Sequence, residues 1–425
     1  MANCATWCYN IVLFSFEEET MEPKKQTKKK EPWIKKRHSF FRNLLCSVLG
    51  PYSAWKYGVK ADPFLEQGDR PYLIMMNHQT AFDQFFIGMS FKGPVYYIAS
   101  EDIFSKGWIS SVIRFLVAPV PIKKQTTDLH AVMTCMKIAK EGGTIALAPE
   151  GNRTFSGKTE YIKPAIVKFA RALKLPIAIY RIEGGYGVQP RWSNTVRKGT
   201  MHAYVSRVIE QDEIKGLSDD ELYELLLKEL YVNEGVADTT YRHPKLAEYL
   251  ERAMYICPDC GLSEFESNAD IIRCKKCGRQ IRYLPTKELE GVDQPFPFRF
   301  VTEWYDYQCD FINSWDPRPY QDAPLYQDTA QLSEVILYKN KRPLRSQVSV
   351  ALYGNRITID DDLVFPFDET SAVTVLGRNK VNIYFGDTVY QLKSGKRFNA
   401  LKYVNIFNRY KNISEGNEHG KFLGL

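Results

Sequence analysis

From Pro71 to Ile209 the chain alternates short apolar runs with helix-period segments, and this alternation constrains the fold more than any other feature of its 425 residues. "PYLIMM" (71–76), "PVYYIAS" (94–100), "TIALAP" (144–149), "LPIAIYRI" (175–182) and "MHAYVSRVI" (201–209) read as strands. Between them, Asp128 is placed to cap a helix over "LHAVMTCMKIAKEGG", which stops at Gly142 and Gly143. The stretch from Tyr161 to Leu173 puts Ile162, Ala165, Ile166, Phe169, Ala170 and Leu173 on one helical face. Strands alternating with helices predict an α/β domain built on a largely parallel sheet flanked by helices. A further helix, "LSDDELYELLLKELY" with Ser218 as its cap, closes this domain, which we place at residues 38–245.

In such sheets ligands bind beyond the carboxyl ends of the strands. Two of the predicted strands end there in polar residues. "MMNHQTAFDQFF" (75–86) delivers Asn77, His78 and, five positions after the histidine, Asp83. A histidine titrates near neutral pH and acts as a general base when a carboxylate on its other ring nitrogen holds the tautomer. By spacing alone, Asp83 reads as that orienter or as polar punctuation at a helix start. "ALAPEGNRTFSG" (146–157) delivers Glu150, Gly151, Asn152 and Arg153. The glycine permits close backbone approach, and the guanidinium offers a planar fork for phosphate. This second cluster reads equally as a surface turn with a structural Glu–Arg pair. No serine sits in a G-x-S-x-G elbow, which leaves a serine-hydrolase reading without its nucleophile.

Cys257, Cys260, Cys274 and Cys277 form two C-x2-C knuckles separated by thirteen residues and followed by Gly261 and Gly278. Four thiolates at this spacing bind Zn2+ tetrahedrally in a closed structural site, and they predict a zinc ribbon over 250–285. Metal binding of about 10–16 kcal/mol would hold together a module with little core of its own. "SEFESNAD" between the knuckles is acidic, which favours docking to protein over nucleic acid. Arg273, Lys275, Lys276, Arg279 and Arg282 keep a nucleic-acid binder as a rival reading.

The net charge is only +7, but lysines and arginines crowd residues 24–37, "KKQTKKKEPWIKKR". Phe41, Leu44, Leu45, Val48 and Leu49 follow at i, i+3, i+4, i+7 and i+8. The run is too short and too interrupted to span a bilayer. A basic segment leading into an amphipathic helix fits an anionic membrane surface; a disordered basic segment (1–37) before an edge helix is the other reading. Residues 1–20 carry neither the positive start nor the cleavage site of a secretory signal, and Met21 offers an alternative start. Past the ribbon, the proline- and aromatic-rich stretch 286–333 reads as a linker or wrapped extended segment without period. Residues 334–412 read as successive strands closed by the helix "KRFNALKYVNIFNRY", and 413–425 as a tail. Strands followed by one helix resemble a pleckstrin-homology type of module, all-β and barrel-like, which would bind lipid head groups or brace the first domain.

Taken together, the two polar clusters carry a resemblance that neither carries alone. "NHQTAFD" matches the N-H-x4-D signature, and "PEGNRTFSG" resembles the P-E-G-T-R-S block, of the glycerolipid acyltransferase family that includes lysophosphatidate acyltransferases. Order and separation agree, and the resemblance covers roughly residues 40–230. It implies an enzyme on the cytoplasmic face of a membrane, peripheral or monotopic, that acts in phospholipid biosynthesis. The implied reaction moves a fatty acyl group from acyl-CoA or acyl-carrier protein to the sn-2 hydroxyl of a lysophospholipid, lysophosphatidate giving phosphatidate. His78 is then the base and Asp83 its orienter, with Glu150, Gly151, Asn152 and Arg153 shaping the acceptor site and Arg153 on phosphate. Ser100 stands where many members have lysine, and "VPIKK" ends in Lys124 where many have arginine. Lys123 and Lys124 would substitute there as point charges rather than forks. Of the V-P-x-x-P block only Pro176 remains, in "LPIAIY". Two alternatives stand: an acyltransferase acting on a different hydroxyl or amine, and a catalytically silent membrane-surface scaffold that binds lipid or protein. Retention of His78, Asp83, Glu150 and Arg153 together favours the enzyme.

Overall fold

The computed structural model describes residues 31–122, 128–336, 339–360 and 362–416. Residues 24–30 of the basic run, all of residues 1–20, and Lys123 and Lys124 lie outside them. In chain order the first domain comprises α1 (Lys36–Tyr57), β1 (Val59–Ala61), β2 (Leu73–Met76), α2 (Asp83–Ser90), β3 (Val95–Ser100), α3 (Trp108–Val117), β4 (Val120–Ile122), α4 (Leu129–Lys140) and β5 (Thr144–Leu147). It continues with α5 (Ala165–Leu173), β6 (Ile177–Glu183), α6 (Gly185–Val188), β7 (Met201–Ile209), α7 (Gln211–Gly216) and α8 (Asp219–Leu230).

The sheet order is β1-β7-β6-β2-β5-β3-β4. The strands β6, β2, β5, β3 and β4 are mutually parallel; β7 runs antiparallel to β6 and carries β1 parallel to itself. The sheet is thus largely parallel, with a two-strand edge of opposite sense. β1 and β4 escaped the sequence reading because three residues are too few to show a period. β2 is buried along its whole length, as a central strand covered on both faces must be. Alternate residues feed the two faces: Leu73 and Met75 meet Ala131, Ile138, Ile166 and Leu226 of α4, α5 and α8. Tyr72, Ile74 and Met76 meet Tyr57 of α1 and Phe86 of α2.

Local capping sets several boundaries. Asp128 accepts a hydrogen bond from Ala131 N at the start of α4, and Ser218 forms a capping box with Glu221 at the start of α8. The helix predicted from Tyr161 begins only at Ala165, because a residue before proline is driven out of the helical region and Pro164 therefore marks the start.

Beyond the first domain, β8 (Ile256–Cys257) and β9 (Gly261–Leu262) form a small hairpin, and β10 (Phe265–Asn268), β11 (Ile271–Cys274), β12 (Gln280–Tyr283) and β13 (Leu289–Gly291) an antiparallel sheet. The stretch read as a linker without period holds a fourteen-residue helix, α9 (Val301–Ser314). Its buried face, Val301, Trp304, Tyr305, Gln308 and Ile312, has helical spacing, which the surrounding prolines and aromatics masked. The C-terminal module has seven antiparallel strands, β14 (Tyr326–Glu334), β15 (Arg342–Leu352), β16 (Arg356–Ile359), β17 (Leu363–Pro366), β18 (Thr370–Leu376), β19 (Lys380–Phe385) and β20 (Thr388–Ser394), followed by α10 (Leu401–Ser414).

The core of these additions reaches into the first domain at Phe155 and Trp192. A continuous apolar cluster runs from Phe155 and Trp192 through Cys257 and Trp304 to Val375 and Leu401. Polar ties reinforce it. Lys158 Nζ bonds both carboxylate oxygens of Asp306 at 2.7 Å, Thr302 Oγ1 donates to Ser156 O (2.8 Å), and Arg252 Nη1 donates to Trp192 O (2.8 Å).

Candidate active site

The site follows from strand adjacency. β2 and β5 are parallel neighbours with Met75 opposite Leu147, so the loops leaving their carboxyl ends stand side by side. The β2 loop is fastened to β6 as well: Asn77 Nδ2 donates to Ile182 O and Asn77 Oδ1 accepts from Ile182 N, both at 2.8 Å. Gly185 lies against the loop where an added Cβ would sit 2.5 Å from Gln79 Cβ. That contact gives the glycine pair of "RIEGGYG" a packing role that its sequence did not announce.

Asp83 is the first residue of α2 and has no solvent exposure. Its Oδ2 accepts from His78 Nδ1 and Gln79 N, each at 2.8 Å, and its Oδ1 from Thr80 N (2.9 Å) and Thr80 Oγ1 (2.6 Å). Every contact is a donor, as a carboxylate requires. With Asp83 accepting at Nδ1, the ring proton belongs there and the lone pair falls on Nε2. The His78 side chain is 25% exposed, enough to meet a ligand while its orienter stays dry.

The β5 loop braces this arrangement. Glu150, buried, accepts from His78 N (3.0 Å) through Oε1 and from Glu160 N (2.8 Å) through Oε2, and Thr154 N donates to His78 O (3.3 Å). Both Glu150 oxygens are thus spent on backbone, and the residue ties the two loops together. Burial pushes its carboxyl up to about 8, against the pull of those two backbone hydrogen bonds. Burial likewise raises Glu160 to about 6. Gly151 is exposed, and nothing lies within 4 Å of where its Cβ would be. The glycine is required by its φ of 70° in the turn closed by Gly151 N and Ala148 O (2.9 Å), and not by close approach of other protein atoms. Asn152 is buried, its Oδ1 accepting from Arg191 Nη2 (3.4 Å).

Arg153 makes no ion pair with Glu150, contrary to the structural-pair reading of this turn. Its Nη1 is buried without a hydrogen-bond partner. Burial, then the charge of Arg378, lowers its guanidinium to about 10, while Asp83 pulls the other way. Tyr57, at the end of α1, is raised to about 12 by burial first and also feels Arg378, Arg153 and Asp83. Tyr57 and Arg153 therefore lie within electrostatic reach of Asp83, the carboxylate that holds His78. Tyr57, Glu160, Arg191 and Arg378 were not read from the sequence; they have no fixed spacing to either motif.

The four cysteine sulfurs of the ribbon lie within 4.8 Å of one another, Cys257 and Cys277 at 3.8 Å. Tetrahedral Zn–S bonds of about 2.3 Å demand sulfurs about 3.8 Å apart, so the donor set fits zinc. Around it Arg279 pairs with Asp259, Arg282 with Asp270 (3.2 Å), Lys275 with Glu264 (3.4 Å) and Arg273 with Glu266 (3.6 Å). Four of the five basic residues that kept the nucleic-acid reading alive thus face local carboxylates, and Lys276 Nζ donates to Cys260 O (3.4 Å). A cavity of about 1320 Å3 lies between the ribbon and the C-terminal sheet, away from His78. Its charges Lys402 and Asp328 pair at 2.8 Å.

The α/β sheet thus sets a His–Asp pair at one strand end beside a Glu-Gly-Asn-Arg turn at its parallel neighbour, bringing together the two clusters that carry the resemblance. Residues 59–182 match the Acyltransferase family, which supports the resemblance to the glycerolipid acyltransferases. The chain is 25% identical over 200 residues to 1-acyl-sn-glycerol-3-phosphate acyltransferase LPAT1, chloroplastic, of Arabidopsis thaliana, a match covering 45% of this chain and 52% of that protein. It is 22% identical over 154 residues to 1-acyl-sn-glycerol-3-phosphate acyltransferase of Bacillus subtilis (strain 168), covering 36% of this chain and 74% of that protein. Among solved structures, the 1-acyl-sn-glycerophosphate (LPA) acyltransferase PlsC from Thermotoga maritima aligns over 45% of this chain and 91% of that one, with 19% identity and a TM-score of 0.34. The chain spans about half the length of the chloroplastic relatives it matches.

Proposed function

We propose that the protein is an O-acyltransferase that esterifies the sn-2 hydroxyl of a lysophosphatidate-like lysophospholipid, with an acyl-CoA or acyl-carrier protein as donor. The observation that carries this reading is the 2.8 Å contact between His78 Nδ1 and a fully buried Asp83, which leaves Nε2 as the basic nitrogen. In the reaction His78 Nε2 takes the acceptor's hydroxyl proton as that oxygen attacks the thioester carbonyl carbon. The tetrahedral oxyanion then collapses, the C–S bond breaks, and the imidazolium returns its proton to the leaving thiolate. Asp83 stays ionised throughout and stabilises the imidazolium. General-base assistance of this kind contributes about 100- to 10,000-fold. No covalent enzyme intermediate is needed, because the acceptor itself attacks.

Membrane-surface attachment is supported by an exposed apolar face on the first domain. Phe40, Leu44, Val48 and Trp55 of α1 and Trp108, Val112 and Phe115 of α3 are exposed, Trp55 by 81% and Trp108 by 73%. The two helices meet at Phe41 and Phe115 (6.0 Å), with Arg37 over the Phe115 ring at 4.4 Å. Interfacial tryptophans beside basic residues suit the head-group region of an anionic bilayer. Among the described residues no helix is long and apolar enough to cross a membrane. The four cysteines would hold one structural Zn2+, fixing the ribbon against α9.

The test is release of thiol from palmitoyl-CoA with lysophosphatidate as acceptor. Wild type is expected to turn over and His78→Ala to lose at least about a hundredfold of that rate while folding normally. Wild-type-like turnover by the variant would refute the mechanism.

A further inference from the structure

The C-terminal sheet reaches the active site. The turn between β18 and β19 carries Gly377 and Arg378, and Arg191 ties this turn to the β5 loop. Arg191 Nε donates to Gly377 O (3.2 Å) and its Nη1 to Arg153 O (2.7 Å). Arg378 Nε donates back to Arg191 O (3.3 Å), and its Nη1 to Asn194 Oδ1 (3.4 Å). Three guanidiniums, those of Arg153, Arg191 and Arg378, thus gather here, and among the described residues none of them forms an ion pair with a carboxylate. Arg191 is spent on these backbone bonds and on the Phe155 ring, 4.1 Å away. Arg153 has a buried donor with no acceptor, and Arg378 makes only two long hydrogen bonds.

We propose that Arg378 adds a second guanidinium beside Arg153 for a phosphate group of a substrate, so that the C-terminal β module completes the substrate site of the acyltransferase domain. This assignment rests on the acyltransferase reading above. Like charges held close and partly out of water repel, and burial with a neighbouring guanidinium lowers Arg153 to about 10 and Arg191 to about 9. Both remain charged at neutral pH. A phosphate dianion supplies the missing counter-charge and accepts from the orphaned Arg153 Nη1, and a guanidinium fork matches phosphate geometry better than an ammonium does. The phosphate comes either from the lysolipid acceptor or from the coenzyme carrying the acyl group. Both present the same chemistry to the two forks. The arrangement also gives the C-terminal module a role beyond bracing: its hairpin turn carries a charge to within electrostatic reach of Tyr57 and Arg153.

The experiment compares full-length wild type with Arg378→Ala, Arg378→Lys and, as a control for net charge on an exposed part of the same module, Lys393→Ala. KM is measured for lysophosphatidate and for palmitoyl-CoA, and again with two phosphate-free substitutes, monoacylglycerol as acceptor and a palmitoyl N-acetylcysteamine thioester as donor. Arg378→Ala is expected to raise KM for one phosphorylated substrate by about 10- to 100-fold, the weight of a charge-assisted hydrogen bond. Arg378→Lys should recover part of this, and Lys393→Ala should change nothing. A shift for lysophosphatidate that vanishes with monoacylglycerol assigns the phosphate to the acceptor; a shift for palmitoyl-CoA that vanishes with the thioester assigns it to the donor. Unchanged KM values, or equal losses with phosphate-bearing and phosphate-free substrates, overturn the proposal. Should wild type turn over none of these substrates, the acyltransferase reading fails by itself. Calorimetric titration with inorganic phosphate then decides the site: binding by wild type that is lost in Arg378→Ala upholds it, and no binding overturns it.

Discussion

Replacing Asp83 by asparagine isolates the chemistry of the His–Asp pair while keeping its shape. The carboxylate now accepts from His78 Nδ1, Gln79 N, Thr80 N and Thr80 Oγ1. With the amide oxygen facing Thr80, the new NH2 group faces His78 and Gln79. His78 answers by shifting its proton to Nε2, where it can no longer accept one from a substrate. Gln79 N has no such escape and is left opposite a donor in a dry site. One orphaned buried N–H costs about 1–3 kcal/mol, and the lost charge weakens the Thr80 contacts, for a total of about 2–4 kcal/mol. Turnover should fall further, by about 10,000-fold, the order seen when the orienting carboxylate of a catalytic histidine becomes an amide and fixes the wrong tautomer. Urea unfolding reads the first effect and thiol release from palmitoyl-CoA reads the second. Turnover within tenfold of wild type, in a protein of normal fold, would show that His78 does not depend on Asp83 for its tautomer and would sink the mechanism.

Metal analysis should return one zinc per chain, lost together with stability in Cys257→Ser; a folded, metal-free wild type would refute the ribbon assignment. Glu150, Glu234 and Glu160 are raised by burial to about 8, 7 and 6 from an ordinary 4.5. The folded state therefore holds protons that the unfolded chain has released, and stability should fall as pH rises from about 4.5 through 8. Glu150→Gln should flatten the upper part of that slope, from pH 6 to 8, in denaturant midpoints; an unchanged slope would contradict the assignment. Trp55→Glu and Trp108→Glu should each weaken binding to phosphatidylglycerol-containing vesicles by tenfold or more, since burying a large apolar side chain contributes about 1.5–3 kcal/mol. Vesicle binding that ignores both changes would move the membrane face elsewhere on the protein.

What the chain determined by itself was local. The strands β2, β3, β5, β6 and β7 announced themselves as apolar runs, Asp128 and Ser218 as caps, and the four cysteines as two knuckles, because each pattern closes within a few turns of chain. His78 and Asp83 belong to the same class: five positions apart, they meet across the first turn of α2. Glu150 and Arg153 were visible as a cluster, but their division of labour was not. The pairing of β2 with β5 spends both Glu150 oxygens on backbone and leaves Arg153 with a donor unsatisfied. Helix α9 has a helical period that the flanking prolines and aromatics masked, and it has a partner to pack on only where the 155–158 loop and the ribbon come together. Arg378 carried no signal at all. Its neighbours are set by the docking of a hairpin turn onto Arg191, 187 positions away in the chain, and no local spacing can encode a contact at that separation. The sequence therefore specified the contact between His78 and Asp83 through short-range geometry. The cluster of Arg153, Arg191 and Arg378 required three segments to pack together, because charges converge only where long-range packing has already placed their backbones.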